Sequence, residues 1–430
     1  MDVILNRGFL YNLRPERIIL LAVVYTIIML IIAPVKIVNT LNFSSIAYIV
    51  LCILAFCLGT FMIRTKKIYP KITKIKVDRK NLVRIYNITF CLGLIGIIFR
   101  YIDLFLYRGM SLDNSSLDNL DLAADGSGNM LSVIASMLVS CVYIPFTLDM
   151  ICNNLHQIKE KVWSFVLIVL STVSSLLTSS RFTIITPLIY CIILLYYSEK
   201  VKFKITFKNA AFALIMTILV VIIISSLFIR RLNDTHIQPS SVVTISGYSD
   251  KVPATPGYQQ LLSQNEDRWI FPYLFAYANI TQYSTHAIFE FPVVKKYVDE
   301  KGDYFYGSAT FFVITKFITK IFNLRYDIMN NIKEHNARPG IWSTFFFLWY
   351  LDYGWFGIFM MFLFGYATKK IWVGLYNNLK ILYLPIIIYV TVILLLILQL
   401  NMLAGQGTFA LCTFSVIAFL FKNNLKEKYY

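Results

Sequence analysis

Residues 18–35 read IILLAVVYTIIMLIIAPV, eighteen positions without a charged side chain. A helix of that length rises about 27 Å, enough to cross most of a ~30 Å hydrocarbon core. A surface helix of a soluble protein keeps a polar face, and this stretch has none. It is too long for the core of a signal peptide, and no small-x-small cleavage site follows it, so it reads as a retained span. Nine further apolar runs follow at 46–63, 86–107, 129–151, 163–178, 182–198, 210–229, 354–372, 381–400 and 404–421. The fifth and sixth of the ten runs meet at Ser179-Ser180-Arg181, the pattern of a tight hairpin. The expectation is an all-α polytopic membrane protein with about ten transmembrane helices.

Composition agrees. Of 430 residues, 58% are hydrophobic and 15% charged, and the mean hydropathy is +0.66; soluble domains carry about a quarter charged residues. The net charge of +17 raises the question of nucleic acid, and the placement of the cations answers it. With the N-terminus inside, the cytoplasmic segments hold 24 Lys and Arg: 3 in 1–17, 9 in 64–85, 2 in 152–162, 4 in 199–209, 3 in 369–380 and 3 in 422–430. The short outer loops hold only Lys36, Arg108 and Arg181. Translocated short loops disfavour cations, so this asymmetry places both termini in the cytoplasm. The charge is then topology, with the 64–80 cluster against anionic lipid headgroups, and no recognition fold accompanies it to suggest nucleic acid. The seven cysteines lie in or at the edges of apolar runs with no paired spacing, which suits packed helices rather than disulfides or metal.

One segment interrupts the rhythm. Residues 230–344 lie outside in this topology and mix 12 Lys and Arg with 10 Asp and Glu. The chain therefore divides into spans 1–7 (1–229), a large extracytoplasmic loop domain (230–344) and a late part (345–430) with a re-entrant segment and spans 8–10. Two stretches of the loop, 269–291 and 304–322, are apolar with polar interruptions. Asn279, Thr281, Gln282, His286 and Glu290 favour helices lying on the membrane surface over an extra membrane hairpin. The outer loop Ser111–Asp121, with its near-repeat of Leu-Asp-Asn, lacks the ligand spacing of an EF-hand and reads as a solvated acidic loop.

Several residues stand where chemistry is plausible. Arg181 sits in an outer turn, where cations are disfavoured; it snorkels to headgroups or holds a pyrophosphate. Arg230-Arg231 follow the seventh span on the same side, and two adjacent guanidiniums can grip several phosphate oxygens. Arg100 and Asp103 lie within the third run, three residues apart on one helix face. Charged pairs at membrane depth face a bundle interior or a wet cavity. Glu266-Asp267-Arg268 and His335-Asn336-Ala337-Arg338 supply acids, a base and phosphate binders, His335 being suited to proton transfer near neutral pH. The four histidines show no zinc spacing; no metal or cofactor is called for. Asp352, in Tyr350-Leu351-Asp352-Tyr353-Gly354 before Gly357, is a cap for the next helix or an active-site carboxylate, at a loop re-entering the membrane boundary.

Thr344, Asp352-Tyr353-Gly354 and Gly357, with the Ser-Ser-Arg hairpin and the large outer loop, resemble the bacterial oligosaccharide repeat-unit polymerases, the Wzy family of O-antigen and capsule synthesis. Tyr353 stands where that family has Phe, and the Asn that often precedes the Thr is replaced by Ile341-Trp342-Ser343. The resemblance implies a GT-C-like helical bundle in the inner (cytoplasmic) membrane and a metal-independent glycosyltransferase. An acceptor hydroxyl would attack the anomeric carbon of a growing polymer, and undecaprenyl pyrophosphate would leave. Arg181, Arg230 and Arg231 would steady the pyrophosphate, and Asp352 or His335 would take the proton. Arg100, Asp103, Arg268 and Arg338 would bind substrate. The implied partners are undecaprenyl-pyrophosphate-linked oligosaccharide, membrane lipids, a chain-length regulator and a flippase, without nucleic acid. A polysaccharide ligase of the same fold and a lipid-linked oligosaccharide flippase are the alternatives.

Overall fold

The computed structural model describes residues 2–38, 41–66, 72–111, 130–152, 158–174, 181–198, 249–322, 343–421 and 428–429, with single positions between them. In chain order the elements are β1 (Asp2–Asn6), α1 (Arg7–Asn12), α2 (Pro15–Ile32), α3 (Phe43–Phe61), β2 (Ile72–Lys76), α4 (Arg79–Ile102), α5 (Met130–Val139), α6 (Tyr143–Ile151), α7 (Ile158–Val173), α8 (Arg181–Tyr197), α9 (Pro256–Ser263), α10 (Phe271–Lys301), α11 (Phe312–Ile321), α12 (Phe345–Tyr353), α13 (Gly357–Tyr376), α14 (Leu384–Leu395), α15 (Thr408–Leu420) and β3 (Lys428–Tyr429).

The protein is an all-α polytopic membrane protein apart from one small sheet. Among the described residues, five helical segments are long and apolar enough to cross a bilayer: Pro15–Ile32, Phe43–Phe61, Arg79–Tyr107, Met130–Ile151 and Phe345–Tyr376. Shorter apolar helices, Val162–Val173, Ile184–Tyr197, Ile381–Leu395 and Thr408–Leu420, fall on four of the other expected runs. The expected span 210–229 and the Ser179-Ser180 turn lie outside the described residues. Leu20, Leu21, Val24, Ile28 and Ile31 stay exposed along α2, an apolar face that suits lipid rather than water.

The sheet settles which segments share an end of the bundle. β1, β2 and β3 pair antiparallel in that order, with Val3 opposite Ile75 and Lys76 opposite Lys428. A further bridge joins Val3 to Cys152. All four contributing segments are ones whose cations assigned them to one side. At the opposite end the loop after α2 pairs with a strap at 249–255: Lys36 N donates to Pro253 O at 2.8 Å, Val38 N to Lys251 O at 3.1 Å and Thr255 N to Pro34 O at 2.9 Å.

Glycine sets the closest packing. A Cβ at Gly59 of α3 would strike Phe362 O of α13, and one at Gly365 would strike Phe56 O. Two backbones in contact gain dispersion along their whole length, which is how membrane helices associate without a hydrophobic drive between them. Gly96 of α4 meets Leu138 and Val139 of α5 in the same way. At the sheet end, Lys369 Nζ lies 2.9 and 3.1 Å from the two carboxylate oxygens of Glu16, tying α13 to the start of α2 inside the protein.

α12 does not continue into α13 as a straight rod. Gly354, at φ +53°, turns the chain so that α12 folds back: the Phe345 and Phe364 rings are 5.7 Å apart, and Trp349 O sits 3.0 Å from the Cβ position of Gly357. The loop region also departs from expectation. In place of a surface helix over 269–291, residues 271–301 form one helix of 31 residues whose polar side chains from Asn279 to Lys295 are mostly buried, while the second stretch, 304–322, carries the separate helix α11. The long helix lies against the second half of α2, where Tyr277 OH donates to Ile32 O and Tyr25 OH meets Ser284 Oγ at 3.1 Å. An amphipathic pattern reads the same whether its polar face meets water or a polar interior, and here it meets the interior.

Because Gly365 has no room for a side chain, Gly365→Ala should destabilise the bundle by about 1–3 kcal/mol, the usual range for overpacking. Thermal inactivation in detergent measures this; a variant as heat-resistant as wild type would mean that α3 and α13 separate freely.

Candidate active site

The inward row on α10 runs Asn279, Gln282, His286, Glu290, spaced three, four and four residues apart and so on one face. All four are buried, Glu290 to 1% exposure. Gln282 Nε2 donates to Val243 O at 2.7 Å and Val252 O at 2.9 Å, holding the strap against the helix. His286 Nδ1 lies 3.0 Å from Tyr283 O.

Glu290 is the centre of the charges here. Arg338 Nε lies 3.3 Å from its Oε2, and the same guanidinium donates through NH2 to Asp250 Oδ1 at 2.7 Å. Lys251 Nζ stands 3.5 Å from Asp250 Oδ2. Burial pushes the Glu290 carboxyl up to about 7; Arg338 pulls against the shift and Asp250 adds to it. Neither carboxylate oxygen of Glu290 has a hydrogen bond of ordinary geometry among the described residues. A carboxylate held this way can take up and release a proton near neutral pH.

Five residues further along α10, Lys295 Nζ pairs with Asp299 Oδ2 at 2.7 Å and lies over the Tyr350 ring at 4.7 Å. Tyr350 OH donates to Asp299 Oδ1, and Tyr48 stacks edge-on against Tyr350 and Trp355. This cluster joins α10 to the α12–α13 turn.

Asp352 holds the same turn from the other side. Its carboxylate accepts from Ala309 N at 2.9 Å and Thr310 N at 2.7 Å, while its carbonyl accepts from Tyr306 N at 2.9 Å. It is completely buried. The carboxylate thus caps the 306–311 turn leading into α11, not the helix that follows Asp352 in sequence.

The remaining expected residues scatter. Arg338 joins Glu290, as described. Arg100 and Arg108 both face Asp103, at 3.6 and 3.1 Å, and Arg108 NH2 reaches Ser132 Oγ at 3.2 Å, so Asp103 anchors the end of α4 between two cations. Arg268 is exposed, its NH1 3.4 Å from Asn265 Oδ1. Arg181 is the first residue of α8, and its side chain lies outside the described set, as do Arg230, Arg231 and His335 entirely. Glu290, Asp250 and Lys295 were not foreseen as site residues. The 279-282-286-290 periodicity was the available signal.

Replacing Asp352 by Ala removes charge-assisted bonds worth roughly 1.5–3 kcal/mol each. Amide hydrogen exchange at Ala309 and Thr310 should accelerate at least tenfold, while exchange in α3 stays as in wild type; unchanged exchange at these two amides would show that the clamp holds nothing.

No curated protein and no solved structure matches the chain. The family model for O-antigen polymerases matches residues 13–246, more than half of the sequence and all the described spans from α2 to α8. The protein belongs to the O-antigen polymerase family, whose activity is glycosyltransferase-type polymerisation of lipid-linked oligosaccharide units.

Proposed function

We propose that the protein joins undecaprenyl-pyrophosphate-linked repeats at the outer face of the cytoplasmic membrane, with Glu290 as the proton acceptor. The observation that carries this reading is a carboxylate buried to 1% exposure with Arg338 Nε 3.3 Å from its Oε2, at the end of the bundle opposite the cation-rich sheet, where burial pushes it up to about 7. The positive-inside bias makes the sheet end cytoplasmic, so the strap and Glu290 face outward.

In the reaction, the acceptor hydroxyl oxygen bonds to the anomeric carbon of the donor polymer. The bond from that carbon to the pyrophosphate oxygen breaks, and its electron pair leaves with undecaprenyl pyrophosphate. The hydroxyl proton passes to Glu290, whose basicity near neutral pH suits a hydroxyl that becomes acidic only in the transition state. Arg338 keeps the carboxylate oriented, and Asp250 pins Arg338 from behind. His335, three residues before Arg338 in sequence, is the alternative acceptor. Asp352 is a positioning residue that fixes the 306–311 turn.

Arg181, Arg230 and Arg231 are assigned to the pyrophosphate, whose growing charge planar guanidiniums neutralise through paired bonds. Arg100, with Asp103 beside it, and Arg268 are assigned to further substrate contacts. A flippase would deliver the repeats, and a chain-length regulator would set when polymer is released.

Glu290→Gln should remove long polymer from a deletion strain, leaving single lipid-linked repeats exported; loss of a general base typically costs about 10²–10⁴ in rate. In wild type, kcat/KM should climb about tenfold per pH unit from acid and level off above about 7, since the carboxyl must be ionised to accept the proton. A Glu290→Gln protein that inserts normally and polymerises at the wild-type rate rules this base out. Arg181→Ala and Arg230→Ala should each slow turnover by about tenfold or more, with Lys intermediate because it keeps charge but not the fork. Unchanged rates would reduce both arginines to membrane anchors.

A further inference from the structure

Between α14 and α15 the chain leaves the α-helix. Residues 396–399 turn, and Leu403–Gly407 form a single wide helical turn. Phe345 N donates to Ile397 O at 3.0 Å, which ties this break to the start of α12. Four polar groups gather on the two joined segments, and the bonds around them fix which atoms remain free.

Gln399 Nε2 donates to Thr26 Oγ1 at 2.8 Å, and the Thr26 hydroxyl already donates to Ala22 O at 2.8 Å. Thr26 can therefore only accept, the Gln399 amide cannot be reversed, and its Oε1 is left over. Asn401 Oδ1 accepts from Leu403 N at 3.0 Å and Ala404 N at 3.3 Å, which leaves its Nδ2. With the Ser343 and Thr344 hydroxyls, these atoms have no hydrogen-bond partner among the described residues. The four residues are 3, 6, 8 and 0% exposed.

Their depth matters. Thr26 lies six residues from the end of α2, about 9 Å along the helix. Polar side chains at membrane depth serve either to bond helix to helix or to line a path for a polar substrate, because lipid offers them nothing, and atoms left without a protein partner fit the second role.

We propose that Ser343, Thr344, Gln399 and Asn401 form a subsite for a sugar of the lipid-linked repeat; this rests on the polymerase reading above. The set offers one pure acceptor, one pure donor and two hydroxyls that do both, which matches sugar hydroxyls that donate one bond and accept two. It does not match a phosphate, because an amide oxygen repels phosphate oxygens and no described cation reaches these four atoms. Thr186 Oγ1 approaches Met402 Sδ at 4.0 Å, so α8 begins beside the same break, with Arg181 five residues before Thr186.

The test uses the Ser343→Ala/Thr344→Val double variant of the full chain in nanodiscs, with lipid-linked repeats as substrate. Neither hydroxyl bonds to a described protein group, so a purely structural role predicts unchanged kinetics. The subsite predicts a KM raised about tenfold or more, kcat within about twofold, and the same loss in inhibition by the free oligosaccharide repeat. Inhibition by undecaprenyl pyrophosphate alone should stay as in wild type. An unchanged KM, or a loss that falls on undecaprenyl pyrophosphate instead, overturns the sugar subsite while leaving the polymerase reading standing. Wild-type protein that fails to extend lipid-linked repeats overturns that reading, and the subsite with it.

Discussion

A backbone that abandons its helix within a bilayer must find every hydrogen bond again inside the protein, because lipid supplies none. From residue 302 onward this chain abandons its helices repeatedly, and the partners it finds there organise the structure. The 306–311 turn takes its amide partners from Asp352. The start of α12 takes Ile397 O. The break after α14 is capped by Asn401. The long regular helices α2, α3 and α4 make none of these demands, and they frame the irregular region rather than take part in it.

The rigid pairing of α3 with α13 gives that frame its stiffness. Two helices whose backbones touch at Gly59 and Gly365 cannot slide without meeting a carbonyl. α13 starts at the turn held by Asp352, and Tyr48 of α3 touches Phe291 of α10, one residue from Glu290. Glu290 is therefore positioned from two sides, by packing through α3 and by the ion pair with Arg338. Burying a carboxylate beside a single guanidinium is weak as a source of stability. In the proposed reaction its value lies in basicity, which an exposed carboxylate could not hold near neutral pH.

Most of the helical architecture was legible because membrane helices announce themselves by length. Apolar runs of about 20 residues have few other readings, and the described helices fall on nine of the ten. The sheet was not legible: its strands are five residues or fewer, and β1 pairs with a segment some seventy positions away. Asp352 shows the same limit. Either a cap or a catalytic carboxylate fitted its sequence context, and the amides it actually binds belong to residues 309 and 310. On α10 the pattern was visible but pointed the wrong way, because periodicity gives the polar face without saying what it faces. Arg338 was singled out as a phosphate binder, yet its partners Glu290 and Asp250 lie far off in sequence.

The β1–β2 pairing has a consequence for how the chain is made. The register from Asp2–Lys76 to Asn6–Ile72 needs only the first 76 residues, and the loop it closes contains α2 and α3 with nothing else that spans. Chains emerge from the ribosome N-terminus first and fold in units as they appear. The first helical pair can therefore be inserted and tied shut before α4 is synthesised, giving later segments a finished wall to dock on. α13, the tightest partner of α3, arrives some three hundred residues later. In that order of synthesis the backbone contact of Gly59 with α13 is among the last to become available.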